Sequence, residues 1–370
     1  MASSTHKNHH HLPTAAPPPT PLVQHANTTT SDAATADILS NLLHRLPPTL
    51  SLPTRFSLSP PPPNKPTLSP PLPTLSLQHP DSLSSLLSAS SQLGFFQLTD
   101  HPIPPQLARS AESDSLSLLS LPTEQKHLLF PQNWPLGFDE EDDDLPESFC
   151  LDSDFSAEST LASLGEFARE MEKVGLEVVE ALSRAVGFGN PIREDPTRVC
   201  SLMWVSEDGS AGDESAGSGK FYPYVVGLRY QIRCQRYSLL ADSGSVSVSP
   251  QVDSILVTLG DIAQVWSNGK TKKVRGRPVS CLENGSKDAR CVSMSLLVTL
   301  PLETTVSPLL IPSSTLTDAI EDSRADKEDG GGSMDTFERR AFNSFSFEDY
   351  AWRVYHERLP SKDPLDRFRI

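Results

Sequence analysis

Residues 220–240 read KFYPYVVGLRYQIRCQRYSLL, and this stretch points to the fold class. Leu228, Tyr230, Ile232 and Cys234 alternate with Arg229, Gln231, Arg233 and Gln235. Strict alternation of apolar and polar residues is the period of a β-strand with one buried face. Toward the C-terminus the same period recurs, and strands are expected over 245–249, 254–259, 263–267 and 291–300. Toward the N-terminus the period lengthens. Leu161, Leu164, Phe167, Met171, Val174, Leu176 and Val178 give a broad apolar face to a helix over 158–186. Further upstream, helices are expected over 82–93 and 107–121, and short strands around Leu75 and over 94–98. Residues 347–353 and 363–370 return to helical character. Helices followed by a run of strands make an α+β chain, its strands closing a double-stranded β-helix, or jelly roll.

Composition divides the chain near residue 80. Half of its 34 prolines lie in residues 1–80, a segment with four basic and two acidic residues in a chain of net charge −16. Residues 1–70, rich in Pro, Ser, Thr and His, read as a disordered arm with too little apolar surface to offset backbone ordering. The exception is 31–46, where Ile38, Leu39, Leu42, Leu43 and Leu46 have helical spacing. The remaining body of about 290 residues is long enough to bury a substantial core. It divides into a helical and strand region over 71–197, a barrel over 198–310, and a flexible insertion with a helical tail over 311–370.

These figures exclude several classes of function. An acidic body is a poor partner for nucleic acid, which needs clustered Lys and Arg. No apolar run is long enough to span a membrane. Cys150, Cys200, Cys234, Cys281 and Cys291 are odd in number and lack CxxC spacing, so they read as reduced thiols. The expected compartment is cytoplasmic, with the nucleus as an alternative. A plastid is disfavoured, because Lys7 is the only strong base before Arg45. The glycine-rich 209–219 is not followed by GK[ST] and offers no phosphate cradle.

Four segments carry a resemblance. GFFQLTDHPIP at 94–104, LPTEQK at 121–126, LGD at 259–261 with WSNGK at 266–270, and PLDRFRI at 364–370 stand in the order of family landmarks. Through them the chain resembles the plant 2-oxoglutarate- and Fe(II)-dependent dioxygenases, over roughly residues 73–370. The resemblance implies a jelly roll in which a His-x-Asp pair and a distant second His hold iron, leaving positions open for co-substrate and O₂. Aligned without gaps, the His-x-Asp positions hold Lys220 and Tyr222, and the second His position holds Gly276. A protonated lysine has no lone pair for a metal, a neutral tyrosine is a weak ligand, and glycine has no side chain at all.

The ten histidines add an observation that needs no alignment. None lies between His127 and His356, so the barrel segment cannot supply two. The expected cofactor set is therefore none, where the resemblance implies Fe(II) and 2-oxoglutarate. The co-substrate anchor implied by the resemblance is Arg-x-Ser on a late strand. If Ser293 is its serine, Cys291 occupies the arginine position. If Arg290 is its arginine, Val292 occupies the serine position. A one-residue bulge would bring Arg290 and Ser293 together.

The resemblance implies that the His-x-Asp positions point into the barrel; if that parity holds from Lys220 and Tyr222, then Tyr224, Val226, Leu228, Tyr230 and Ile232 line the interior, with Arg229 and Arg233 outward. A bulge after Pro223 would break this inference. Such an interior is a packed core, or a pocket for a small apolar acid with Lys220 as counter-ion. The basic residues Lys270, Lys272, Lys273, Arg275 and Arg277 read as a solvated hairpin rim. Three functions follow. The first is a silent dioxygenase-like protein that binds a protein partner or a small apolar acid. The second is an active oxygenase with unexpected ligands, such as His101 or His127 with Asp242 or Asp261. The third is a scaffold docking through Pro60–Pro63, the polyproline run of the arm.

Overall fold

The computed structural model describes residues 71–79, 81–140, 147–152, 155, 161–207, 221–281, 292–309, 339–357 and 362–370. The arm with the helix expected over 31–46, the polyproline run, most of the acidic stretch after Asp139 and the insertion expected around 322–333 lie outside these residues, as do Lys220, Arg290 and Cys291.

The chain opens with β1 (Thr74–Leu75), α1 (Ser82–Gln92), β2 (Phe95–Leu98), α2 (Pro105–Leu119) and α3 (Thr123–Leu129). Strands β3 (Gly137–Asp139) and β4 (Ser148–Leu151) follow, then the long helix α4 (Ala162–Val186) and the single turn α5 (Pro191–Glu194). The barrel strands are β5 (Cys200–Glu207), β6 (Val226–Tyr230), β7 (Arg236–Ala241), β8 (Gly244–Val248) and β9 (Ile255–Leu259). After the short helix α6 (Asp261–Trp266) come β10 (Val274–Cys281), β11 (Val292–Thr299) and β12 (Thr305–Val306). The chain closes with β13 (Phe345–Ser346), α7 (Phe347–Glu357) and a 3₁₀ turn at Pro364–Phe368.

Eight strands form one sheet in the order β1-β2-β9-β6-β11-β5-β4-β3, and β10-β7-β8 form a second. Two such sheets with a helical layer against the larger one are the α+β jelly-roll architecture expected from the sequence. The large sheet is antiparallel apart from the β1–β2 pair. One face packs on α4, whose Leu164, Phe167, Met171, Val174, Val178 and Leu182 are buried. Gly175 permits that packing: a Cβ there would lie 2.7 Å from Val298 and 3.1 Å from Leu228. Helix α4 ends where Gly187 takes φ +82°, a left-handed cap that glycine adopts without steric cost. The other face meets the second sheet, where Phe95, Tyr237, Leu239, Ala241, Val248, Leu256 and Val274 form a smaller core.

Two expectations are corrected. Residues 263–267, expected as a strand, lie largely in α6. All six residues of α6 are buried, so the segment carries neither a period of two nor one of 3.6. The alternating strand of 228–234 shifts to 226–230. It stops at Gln231, whose side-chain amide donates to the carbonyl of Arg233 at 2.5 Å and turns the chain toward β7. Arg233 then reaches outward to a salt bridge with Glu112 of α2.

Candidate functional site

The segment entering β6 positions the residues that alignment places at the metal site. Phe221 and Tyr222 are both buried. The Tyr222 ring sits 6.1 Å from Trp134, 6.5 Å from Trp204 and 6.1 Å from Phe347. Burial pushes its phenol pKa far above the ordinary value, so at neutral pH it offers no phenolate to a cation. Across from it, Gly276 lies on β10 with φ +69°, beside a register shift between Arg275 and Val279. A Cβ at Gly276 would stand 2.5 Å from two ring carbons of Phe221. The backbone there is both left-handed and pressed against an aromatic edge, so only glycine fits without displacement.

Tyr224 secures this arrangement. Its hydroxyl donates toward the carbonyls of Val274 at 2.8 Å and Gly276 at 3.1 Å, with Thr258 at 3.2 Å. Replacing Tyr224 with Phe strands buried acceptors, and a loss of about 1–3 kcal/mol is expected in urea denaturation.

The interior parity differs from the sequence reading. Tyr224 reaches the second sheet through its hydroxyl. A bend at Val225 then shifts the phase. Gly227 and Arg229 therefore border the space between the sheets, together with Thr258, Ser295 and Leu297. Leu228, which also borders that space, sends its side chain toward Gly175 of α4, and Tyr230 packs edge-on against Phe167 at 6.0 Å. Val226, one strand period before Leu228, shares its face, and Ile232 packs at the margin of the main core. Ser293 is buried on β11 opposite Ser206, on the same side of the strand as Ser295.

Arg229 departs furthest from its expected place. It is 3 % exposed, donates to the Pro278 carbonyl at 2.9 Å and to Ser280 Oγ at 3.3 Å, and stacks 4.4 Å above Tyr237. Alternation alone labels it outward, because it scores as a charge whichever face it occupies.

The expected basic rim is also divided. Lys270 and Lys272 are exposed, but Lys273 is 0 % exposed. Its ammonium lies 2.9 Å from Asp261 and 2.6 Å from Asp363. Arg275 donates to the carbonyl of Lys362 at 2.5 Å, and Arg277 lies 4.2 Å over the Trp204 ring.

The described residues do not fit iron. No group of three His, Cys, Asp or Glu side chains among them could hold a metal ion. Relocated ligands do not converge either. His101 contacts the carbonyl of Asp253 at 3.0 Å, and His127 contacts Glu140 at 3.2 Å. Asp242 accepts from Gln264 at 2.9 Å, while Asp261 pairs with Lys273. No helix among the described residues is long and apolar enough to cross a membrane.

Comparison with known proteins agrees with this architecture. The family described as "non-haem dioxygenase in morphine synthesis N-terminal" matches residues 70–140. Gibberellin 2-beta-dioxygenase 2 of Arabidopsis thaliana is 23% identical over 273 residues, covering 65% of this chain and 78% of its own. Gibberellin 2-beta-dioxygenase 1 of Pisum sativum is 24% identical over 276 residues, covering 66% and 81%. Among solved structures, the rice dioxygenase for auxin oxidation superposes with TM-score 0.61 at 18% identity, covering 81% of this chain and 100% of its own. The chain resembles the 2-oxoglutarate- and Fe(II)-dependent dioxygenases. At these identities the structural likeness speaks for the fold, and the jelly roll of this dioxygenase-like chain is the part of the resemblance it carries. A full-length Neurospora crassa protein, solved with alpha-KG, shares the same fold at TM-score 0.55 and 16% identity, covering 76% of this chain and 95% of its own.

Proposed function

We propose that this chain is a catalytically silent dioxygenase-like protein acting as a binding or regulatory module. The observation that carries this reading is Gly276. It stands where the resemblance requires a metal-binding histidine, its φ is +69°, and Phe221 occupies the space a side chain would need. Tyr222, with its raised pKa, stands where the carboxylate would be. Lys220 at the remaining position adds a cation where a ligand is required. The co-substrate anchor is weakened in the same way, since Cys291 takes the arginine position if Ser293 is the family serine. The bound partner would be another protein or a small apolar acid.

Calorimetric titration of the full chain with Mn(II), with and without 2-oxoglutarate, tests this reading. The expected result is no saturable heat up to millimolar metal. Stoichiometric binding in the micromolar range would overturn it.

A further inference from the structure

Helix α7 buries one face and leaves the other bare. Phe347, Tyr350, Ala351, Val354 and Tyr355 go into the core. Glu348, Asp349, Trp352 and His356 are exposed, at the spacing that puts side chains on one side of a helix. Trp352 is 54% exposed, and no other tryptophan, tyrosine or phenylalanine among the described residues is exposed.

A single apolar side chain at a surface needs no explanation. This one is built into a stack. The His356 imidazole lies over the Trp352 ring at 4.2 Å and 25°, and its Nδ1 donates to the Trp352 carbonyl at 2.7 Å. His356 in turn lies 6.3 Å from Trp134, and Trp134 lies 6.1 Å from the buried Tyr222. The indole is therefore backed from the core outward, so a partner meets a surface already ordered and little side-chain entropy is lost on contact. Its only ring contact among the described residues is His356.

The charges beside the indole are of one sign. Glu348 and Asp349 stand one turn before Trp352, both exposed and in no ion pair among the described residues. Arg353, the arginine of the helix, pairs with Glu357 at 3.2 Å and lines the cleft beside Gly276. An aromatic ring flanked by two unneutralised carboxylates complements a cation: the ring quadrupole attracts it and the carboxylates add charge. A guanidinium suits the face better than an ammonium, because it is flat enough to stack on indole and forks toward a carboxylate. The net charge of −16 opposes a second copy of this chain, or an anionic membrane, at the same face.

We propose that the outward face of α7 docks an arginine-containing basic segment of a partner protein, one guanidinium stacking on Trp352 beside Glu348 and Asp349. This goes beyond the reading of the barrel as silent and does not depend on it.

Fluorescence-polarisation titrations of the full chain at physiological salt test it, with dye-labelled hexa-arginine amide as the probe. Hexalysine amide carries the same charge without the flat group, and hexaglutamate carries the opposite charge. Hexa-arginine is expected to bind with a micromolar Kd, hexalysine about threefold or more weaker, and hexaglutamate not at all. Trp352→Leu is expected to weaken hexa-arginine binding about fivefold, the loss of one cation–π contact. The double variant Glu348→Gln, Asp349→Asn is expected to lose about fivefold or more. All three side chains are exposed, so these changes leave the core intact. Glu166→Gln with Glu177→Gln removes the same charge from the exposed side of α4 and is expected to change nothing, which separates docking from general attraction to an acidic chain. Absence of hexa-arginine binding, equal binding of hexalysine, binding of hexaglutamate, unaltered affinity in Trp352→Leu or an equal loss in the α4 control would each overturn the proposal. Self-association that sedimentation velocity shows to be lost in Trp352→Leu would overturn it too, giving the face to a second copy. Succinate release bears on the silent reading alone, so the two fail separately.

Discussion

Replacing Lys273 with Met is expected to destabilise the fold by about 3–5 kcal/mol, the cost of removing one partner from a buried ionic group. Lys273 is 0% exposed and pairs with two carboxylates, Asp261 from α6 and Asp363 from the C-terminal segment. The segment that Asp363 anchors also places Leu365 in the core and stacks Phe368 on Phe345 at 4.3 Å. Without the ammonium, the mostly buried carboxylates of Asp261 and Asp363 lose the cation they share. The double variant Lys273→Met, Asp363→Asn is expected to recover part of the loss, which a double-mutant cycle in urea would read as coupling.

The same cluster sets an acid limit. Burial pushes the Asp363 carboxyl upward, but Lys273, the Leu365 amide and Arg369 together hold its pKa below the ordinary value. A lowered carboxylate pKa contributes stability that is present above the unfolded value, near 4, and is lost as pH falls through the folded value. The loss of stability below about pH 4 is therefore expected to be shallower in Asp363→Asn when urea midpoints are followed against pH.

The second large effect is expected at Gly276. Changing it to His puts a side chain at φ +69° and drives a Cβ to 2.5 Å from Phe221. Left-handed strain of about 1–2 kcal/mol and overpacking of about 1–3 kcal/mol together predict a loss of about 2–5 kcal/mol. Phe221→Ala is expected to relieve the steric part and leave the backbone part. This bears on any attempt to rebuild a metal site. Lys220→His, Tyr222→Asp and Gly276→His together are expected to yield an unstable protein with no gain in metal affinity while Phe221 remains. Metal binding by that triple variant at wild-type stability would contradict the packing described at Gly276.

Much of this was legible in the sequence where periodicity was clean. Helix α4 and strands β8, β9 and β11 fall within a few residues of their expected places, because each has a continuous apolar face. Short buried elements were harder. Helix α6 offers six consecutive buried residues and hence no period to read. The site was legible as substitution and illegible as geometry. The composition of 220–240 and 273–279 shows that histidine and carboxylate are missing, but a bend at Val225 cannot be seen in a string of apolar residues. That bend reverses the faces of β6 and brings Arg229 inside. The only forewarning was Pro223, which removes a backbone donor just before the strand. The buried state of Lys273 was hidden for a different reason. Its partner Asp363 is ninety positions away, and a charge in a basic run reads as solvated until its counter-ion is placed.

Whether the barrel turns over 2-oxoglutarate is decided by succinate release from the full chain supplied with Fe(II), ascorbate, O₂ and 2-oxoglutarate. The predicted rate is that of the protein-free blank, unchanged by EDTA. Protein-dependent succinate above the blank that disappears on adding EDTA would contradict the silent reading.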